Sequence, residues 1–573
     1  MHVTRKIIGY TVLTVVVLLA ACAAPAPQST SGQDARSAAP ATPRRAVAAI
    51  KFDPPTLNTK LNPATVAGVD NVEDLVNAGL VRLDEQGALL PQLAVAVPSL
   101  ENGLWKVHPD GQMETTWTIK PNAAWHDGTK FTSADLVFTL NVVRDPDIAV
   151  FRDRSFDLID RADAPDPATL TVYWKSTFIN ADSLFSGGVV KLAMPLARHI
   201  LEPTYNGDKM TLTDHLYFSQ EFVGTGAFKL KEWVSGSHIV LTANDQYVLG
   251  RPKLDELEVR FFPDPTTLVA NILAGAVDFS LGRGISLEQA LQARDQWQNG
   301  KVDTAFSKTW IVLYAQFLNP NPAIVSDTRF RRAMMHAIDR QQLVDTLEFG
   351  LSKVAHSILD PDQPQYREIE QRQVVRYEYE PAKAIQQVTD LGYTRGPDGM
   401  FRDSANQPLH VEYRTINTDI NQKSAFAVGD FWRQVGVSVD TVIIPPQRAT
   451  DLEYRATFPA FEMLRQPNDV RGMLRIHGAG ARTPEKRFTG DNNPRYQNPE
   501  LDALLDRYLT TIPRPQRIEA IGQIIHHISD QLPFMGLFYD GEPVLANNRM
   551  VGIGAAKGDA TQAWNVMDWD VRQ

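Results

Sequence analysis

The chain has 573 residues, too many for one hydrophobic core, so two to four domains are expected. Its formal net charge of -10 and the lack of any basic block argue against a nucleic-acid partner. One cysteine, Cys22, rules out an internal disulfide framework.

The chain opens with His2, Arg5 and Lys6, followed by an apolar run from Ile7 to Ala21. At ~1.5 Å per residue this run makes ~22 Å of helix, short of the ~30 Å hydrocarbon core. A basic start, a short apolar centre and small residues at the exit predict a signal peptide over 1–21. No later stretch approaches ~18 consecutive apolar residues. The order Leu19-Ala20-Ala21-Cys22 resembles the lipobox of bacterial lipoproteins. That resemblance implies cleavage before Cys22, diacylglycerol on its sulfur and acylation of the new amine. More than one acyl chain matters, because a single chain anchors only marginally. Residues 22–46 carry the anchor and then Ala, Pro, Ser, Gln and Arg, too little apolar surface to offset ordering entropy, and so form a tether. The expected location is extracytoplasmic, lipid-anchored on the periplasmic or cell-surface side.

Strands are predicted at Thr115–Lys120 and Thr169–Lys175, with a helix between them whose N-cap is Thr132 and whose third position is Asp135. Further strands follow at Ala227–Val234, His238–Asn244, Glu256–Phe262 and Thr309–Phe317. "SDTRFRRAMMHAIDRQQLVDTLEFG" places Phe330, Ala333, Met334, Ala337, Ile338, Val344 and Leu347 on one helical face ending at Gly350. "EPAKAIQQVTDLG" is a helix with Pro381 in its first turn and Gly392 as its stop. A strand at Leu409–Thr415, a helix capped by Asn498 and a helix over Ile518–Ile528 complete the series. Strands and helices mixed over this length predict α/β lobes.

The sharper chemical motifs fail. "GTGAFK" has Lys229 where a third glycine belongs and precedes a strand, and "GIGAAKG" fails at Lys557. No Walker sequence, GxSxG elbow or HExxH occurs. His526 and His527 are adjacent, so they project ~100° apart and make a poor shared metal site. No cofactor, metal or catalytic residue is expected, and the chain is read as a non-enzyme.

Five stretches, in order, carry a resemblance: "NAGLVRLDEQGALLPQLA…TTWTIKPNAAWHDGTKFTSADLVFTL", "FVGTGAFKLKEWVSGSHIVLTANDQYVLGRPKLDELEVRFFPDPTTLVANILAGAVDF", "DTRFRRAMMHAIDRQQLVD", "YEYEPAKAIQQVTDLGY" and "GDNNPRYQNPELDALLD". Together they resemble the family-5 solute-binding proteins of ABC importers, the peptide, dipeptide and nickel-binding family, over about residues 47–553. The resemblance implies a two-lobed α/β fold of the periplasmic-binding-protein kind, with a small extra domain inserted in the first lobe. The expected division is 47–75, 206–282 and 535–573 for the first lobe, 76–205 for the inserted domain and 283–534 for the second lobe. It further implies hinge closure on a ligand and delivery to ABC permease subunits, by a monomer. "WHDGTKF" and "FVGTGAF" are read as scaffold turns.

Peptide-binding members place an aspartate after a core strand of the second lobe, in an aromatic and then D-Y-x-x-P pattern. Here the stretch is "FPAFEMLRQPNDVRGML", with Glu462 and Asp469 both out of place. Arg465, Gln466 and Asn468 are the expected cleft residues of that loop, and Arg465 suits an anionic or carbonyl-rich ligand. Trp310 and Tyr314 either line the cleft or are core aromatics. Trp125 and Tyr539 complete the candidates. The predicted function is a lipid-anchored receptor for a peptide-like or other polar solute. The alternatives are a lipid-anchored hydrolase, for which no nucleophile or metal cluster speaks, and a solute sensor coupled to a membrane partner.

Overall fold

A computed structural model of the chain describes residues 43–61, 68–85, 87–148, 154–187, 193–369, 373–558 and 560–572. The signal peptide and Cys22 lie outside the described residues.

Its backbone is one 10-stranded sheet. Numbered along the chain, its strands are β1 (Arg45–Ile50), β2 (Phe228–Val234), β3 (His238–Ala243), β4 (Glu256–Phe261), β5 (Phe279–Ser280), β6 (Gly300–Ala315), β7 (His410–Ile416), β8 (Ser438–Ile444), β9 (Phe461–Pro467) and β10 (Phe534–Asn547). The spatial order is β8-β7-β9-β6-β10-β5-β1-β4-β3-β2. Only β6 and β10 run the full width, so they divide the sheet into two halves. In the first half, Ile50, Leu241, Leu257 and Val259 face one core while Ala49 faces a smaller one with Leu268, Ile272 and Ala293. In the second half the alternation of β6 sends Ile311 and Leu313 to one face and Trp310, Val312 and Tyr314 to the other. The Leu287–Gln296 helix, expected in the second lobe, gives Leu287, Ala290 and Ala293 to buried positions, and the two alanines join the Ala49 core of the first half.

A separate 4-stranded sheet joins Trp105–Val107, Met113–Thr118, Thr169–Trp174 and Ile159–Asp166, in that order. Its inward residues Met113, Trp117, Leu170, Val172 and Trp174 share the first half's main core. The helix beside it starts as predicted, with a Thr132–Asp135 capping box in which Asp135 Oδ2 accepts from Thr132 N at 2.8 Å. The "WHDGTKF" turn closes with Gly128 at φ 92. In "FVGTGAF" the glycines serve close approach rather than an unusual φ: a Cβ on Gly226 would lie 2.4 Å from the carbonyl carbon of Val76.

One predicted helix is two. The stripe from Phe330 to Leu347 breaks into Thr328–His336 and Arg340–Leu347, because Asp339 caps the second piece by accepting from Gln342 N at 2.9 Å. His526 and His527 diverge as expected, one toward the Gln373 carbonyl and the other to the Tyr496 hydroxyl at 3.0 Å.

Candidate functional site

The two halves meet where β6 and β10 cross between them. Thr309 pairs with Asp540 and Ala305 with Glu542, so the longer β6 stretch bulges opposite Gly541. A Cβ on Gly541 would lie 2.9 Å from the Phe306 ring, which is why glycine stands there. Beside the bulge lies a pocket of about 50 Å³ lined from both halves by Asp70, Arg283, Lys308, Asp469, Glu542 and Gln562, among others. Lys308 Nζ donates to the Ala560 carbonyl at 2.7 Å, and the Lys308 carbonyl accepts from Asn468 N at 3.2 Å. The bulge therefore connects the C-terminal segment of the first half to the end of β9 in the second.

The predicted residues distribute unevenly around this pocket. Arg465 stands at the crossing, but it is already paired with two carboxylates: Nε donates to Asp540, and Nη2 to Glu542 at 3.1 Å. Burial works against the Arg465 charge, and Asp540 and Glu542 more than reverse that, raising its pKa above the ordinary range. Below it, Glu348 is fully buried, and Gly541 N donates to it at 3.1 Å. Burial and the neighbouring Asp540 push the Glu348 carboxyl far up, so it is protonated at neutral pH. Glu542 is held below its usual range despite burial, by Arg465, Arg283 and Lys308. This corrects the expectation of Arg465 as an open donor for an anion: three acidic side chains from 348, 540 and 542 surround it, none of them on β9.

Gln466 turns to Arg475, whose Nη1 donates to it at 2.8 Å. Asn468 is fully buried, and its amide Nδ2 and Oδ1 have no hydrogen-bond partner among the described residues. Both of its chain neighbours, Pro467 and Asp469, line the pocket. The two other acidic residues of this stretch are committed. Glu462 is buried and accepts from Arg455 Nε at 2.6 Å, and Asp469 caps the next helix, accepting from Gly472 N at 2.6 Å.

The aromatic candidates are buried. Trp310 and Tyr314 pack with Phe534 inside the second half. Tyr539 is buried there too, its hydroxyl donating to the Ser357 and Leu359 carbonyls at 2.9 and 2.8 Å. Trp125 is buried in the first half's main core against Phe131.

Sequence reasoning missed the far edge of the two halves. There Ile179, next to the 4-stranded sheet, is 5% exposed and lies in the second half's core cluster with Leu505, Tyr508 and Ile521. Its N–H donates to the Leu509 carbonyl at 3.1 Å. Leu509 is in the last turn of the Pro499–Thr510 helix, where carbonyls have no partner within the helix. The Leu509 side chain packs against the cores of both halves. Three residues on, burial pushes the Asp182 carboxyl up to about 7, against the pull of Arg517 from the second half.

Two sheet halves joined by two crossing strands, with a pocket at the crossing and a separate contact at the far edge, define a two-lobed binding protein. Residues 95–470 match the family model described as bacterial extracellular solute-binding proteins, family 5 middle, and the chain belongs to that family. It is 25% identical over 498 residues to the oligopeptide-binding protein AppA of Bacillus subtilis (strain 168), covering 85% of this chain and 84% of that one. The solved structure of B. subtilis AppA in complex with a nonapeptide superposes with a TM-score of 0.73 at 20% identity, covering 93% of this chain and 100% of the other. NikZ from Campylobacter jejuni in complex with Ni(L-His) gives 0.74 at 20% identity, covering 92% and 99%.

Proposed function

We propose that the protein is a lipid-anchored, extracytoplasmic receptor that closes on a peptide-like or other polar solute and delivers it to an ABC permease. Membership of the solute-binding family and the likeness to oligopeptide-binding AppA support the receptor role. The observation that carries the ligand reading is the Asn468 amide, buried between two residues of the pocket wall, Pro467 and Asp469, with one donor group and one acceptor unspent among the described residues. A buried polar group without a partner costs ~1–3 kcal/mol, which a ligand amide or hydroxyl placed there would recover. Asn468 carries no charge, and Arg465 is neutralised by its own carboxylates. The pocket therefore selects neither a free ammonium nor a free carboxylate at this point, and suits amide- or hydroxyl-bearing groups.

Calorimetry with matched peptides, free and N-acetylated, tests the selectivity, after mass spectrometry has identified the solute carried through native purification. Acetylation is expected to change affinity by less than about threefold, since no charge pair is lost. A loss of about a hundredfold or more would restore an ammonium anchor and remove this reading.

A further inference from the structure

Three buried polar side chains line the pocket at the crossing: Asn71, Thr309 and Gln562. Two of them are committed. Asn71 Oδ1 accepts from Gln562 N at 2.8 Å, and its Nδ2 donates to Asp70 at 3.1 Å. Gln562 uses both ends of its amide: Oε1 accepts from Gly282 N at 2.9 Å, and Nε2 donates to the Ser280 carbonyl at 3.0 Å.

Thr309 is the exception. It is 3% exposed, and its Oγ1 has no hydrogen-bond partner among the described residues. On the sheet it stands directly opposite Pro467 of β9, and both residues line the pocket, so their side chains share the face that borders it. A buried hydroxyl without a partner is unfavourable in the empty protein, and a polar group bound beside it removes that penalty.

The rest of the wall selects the group. Pro467 and Pro543, on the two strands that flank β6, have no N–H, so neither position gives a backbone donor. Burial works against the Glu542 charge, but Arg465, Arg283 and Lys308 hold its carboxyl below the usual range. Asp469 presents a second carboxylate, one oxygen of which caps its helix. Lys308 Nζ donates to the Ala560 carbonyl, and Arg283 is exposed at the rim. The wall around Thr309 is therefore made of acceptors, and Oγ1–H is its buried donor. A peptide unit matches this arrangement: its carbonyl takes the Thr309 proton, and its N–H turns to the carboxylate side.

We propose that Thr309 is a specificity-determining residue of this pocket, with its Oγ1–H donating to a carbonyl oxygen of a peptide unit in the solute. The assignment rests on the reading of the crossing pocket as the solute site.

In the test, the full chain is dialysed against a casein digest mixed with mono- and disaccharides, and native mass spectrometry identifies what it retains. A peptide is the expected species. Calorimetry with that species then compares the native chain with Thr309→Val and Thr309→Ser, and denaturant unfolding compares the empty proteins. Thr309→Val is expected to weaken binding by about five- to tenfold, one uncharged hydrogen bond, while Thr309→Ser stays close to the native affinity. The empty Thr309→Val protein should unfold at the same denaturant midpoint or a higher one, since a methyl group replaces an unpaired hydroxyl. Unchanged affinity in Thr309→Val, an equal loss in Thr309→Ser, or an empty-protein midpoint that falls with the affinity overturns the proposal, as does retention of a saccharide alone. A native chain that retains nothing overturns the solute reading of the pocket itself, and this assignment with it.

Discussion

The two edges along which the halves meet are built from opposite materials. At the crossing, β6 and β10 join the halves covalently, and Arg465, Asp540 and Glu542 form a charged cluster at the bulge beside the protonated Glu348. At the far edge the apolar side chains of Ile179, Leu509 and Ile512 and one backbone hydrogen bond from Ile179 to Leu509 make the contact. The crossing cannot separate without breaking the sheet. The far edge can separate by exposing a few apolar side chains. The covalent, charged contact thus lies at the crossing and the smaller apolar contact at the far edge, the arrangement that closure about a hinge would use.

The largest expected effect lies at the crossing. Arg465→Ala would remove the hydrogen-bonded cation that Asp540 and Glu542 share, leaving Asp540 buried and unpaired beside Glu348, and is expected to destabilise the protein by about 3–5 kcal/mol in denaturant unfolding. Arg465→Lys should recover only part of that, because a single ammonium cannot reproduce the two-sided fork. An unchanged midpoint for Arg465→Ala would mean that the cluster does not hold the axis.

At the far edge Ile179→Ala removes an apolar side chain from the second half's core. Full burial of such a side chain is worth roughly 2 kcal/mol, so solute affinity should fall by about 30-fold while the unfolding midpoint moves little. If affinity and midpoint fall together, Ile179 supports the fold rather than closure.

Acidity sharpens the same contrast. The Asp182 carboxyl is raised from its ordinary 3.8 to about 7 by burial, with Arg517 opposing. A raised carboxyl keeps its proton in the closed form and gives it up in the open one. Closure therefore draws full support from it below about 4, loses that support as pH rises toward about 7, and is flat above. Solute affinity should fall across that interval in the native chain. A slope surviving in Asp182→Asn would assign it to another group.

The smallest effect belongs to neither edge. Thr132→Ala loses the cap of the Ser133–Arg144 helix and should cost about 1 kcal/mol in unfolding, with solute affinity unchanged. A change in affinity would show that the inserted sheet and its helix move with the far edge.

The cap at Thr132 and the strands at 228–234 and 256–261 were legible because local chemistry decides them. The crossing was not. Asp540-Gly541-Glu542-Pro543 carries the signature of a turn, yet it lies inside β10, where glycine admits the Phe306 ring and the strand passes between halves. The first part of β6, Gly300–Lys308, alternates charged and small residues on an open edge of the first half and gives no apolar period to read. Arg465 reads in sequence as an open donor, because its carboxylate partners lie 75 and 77 residues downstream. Trp310, Tyr314 and Tyr539 show the same limit: a strand pattern tells that an aromatic is inward, but not whether inward means core or cleft.

The measurement that bears most directly on closure about the crossing is a pair of spin-label distances in a Cys22→Ser background, which leaves no native cysteine and no lipid anchor. Labels at Lys175 and Thr510 span the far edge, and labels at Lys301 and Leu351 flank the crossing. Between the native contact and Ile179→Asp, the account predicts a clear lengthening across the far edge and an unchanged distance at the crossing. Equal changes in both pairs, or none in the far pair, would contradict it.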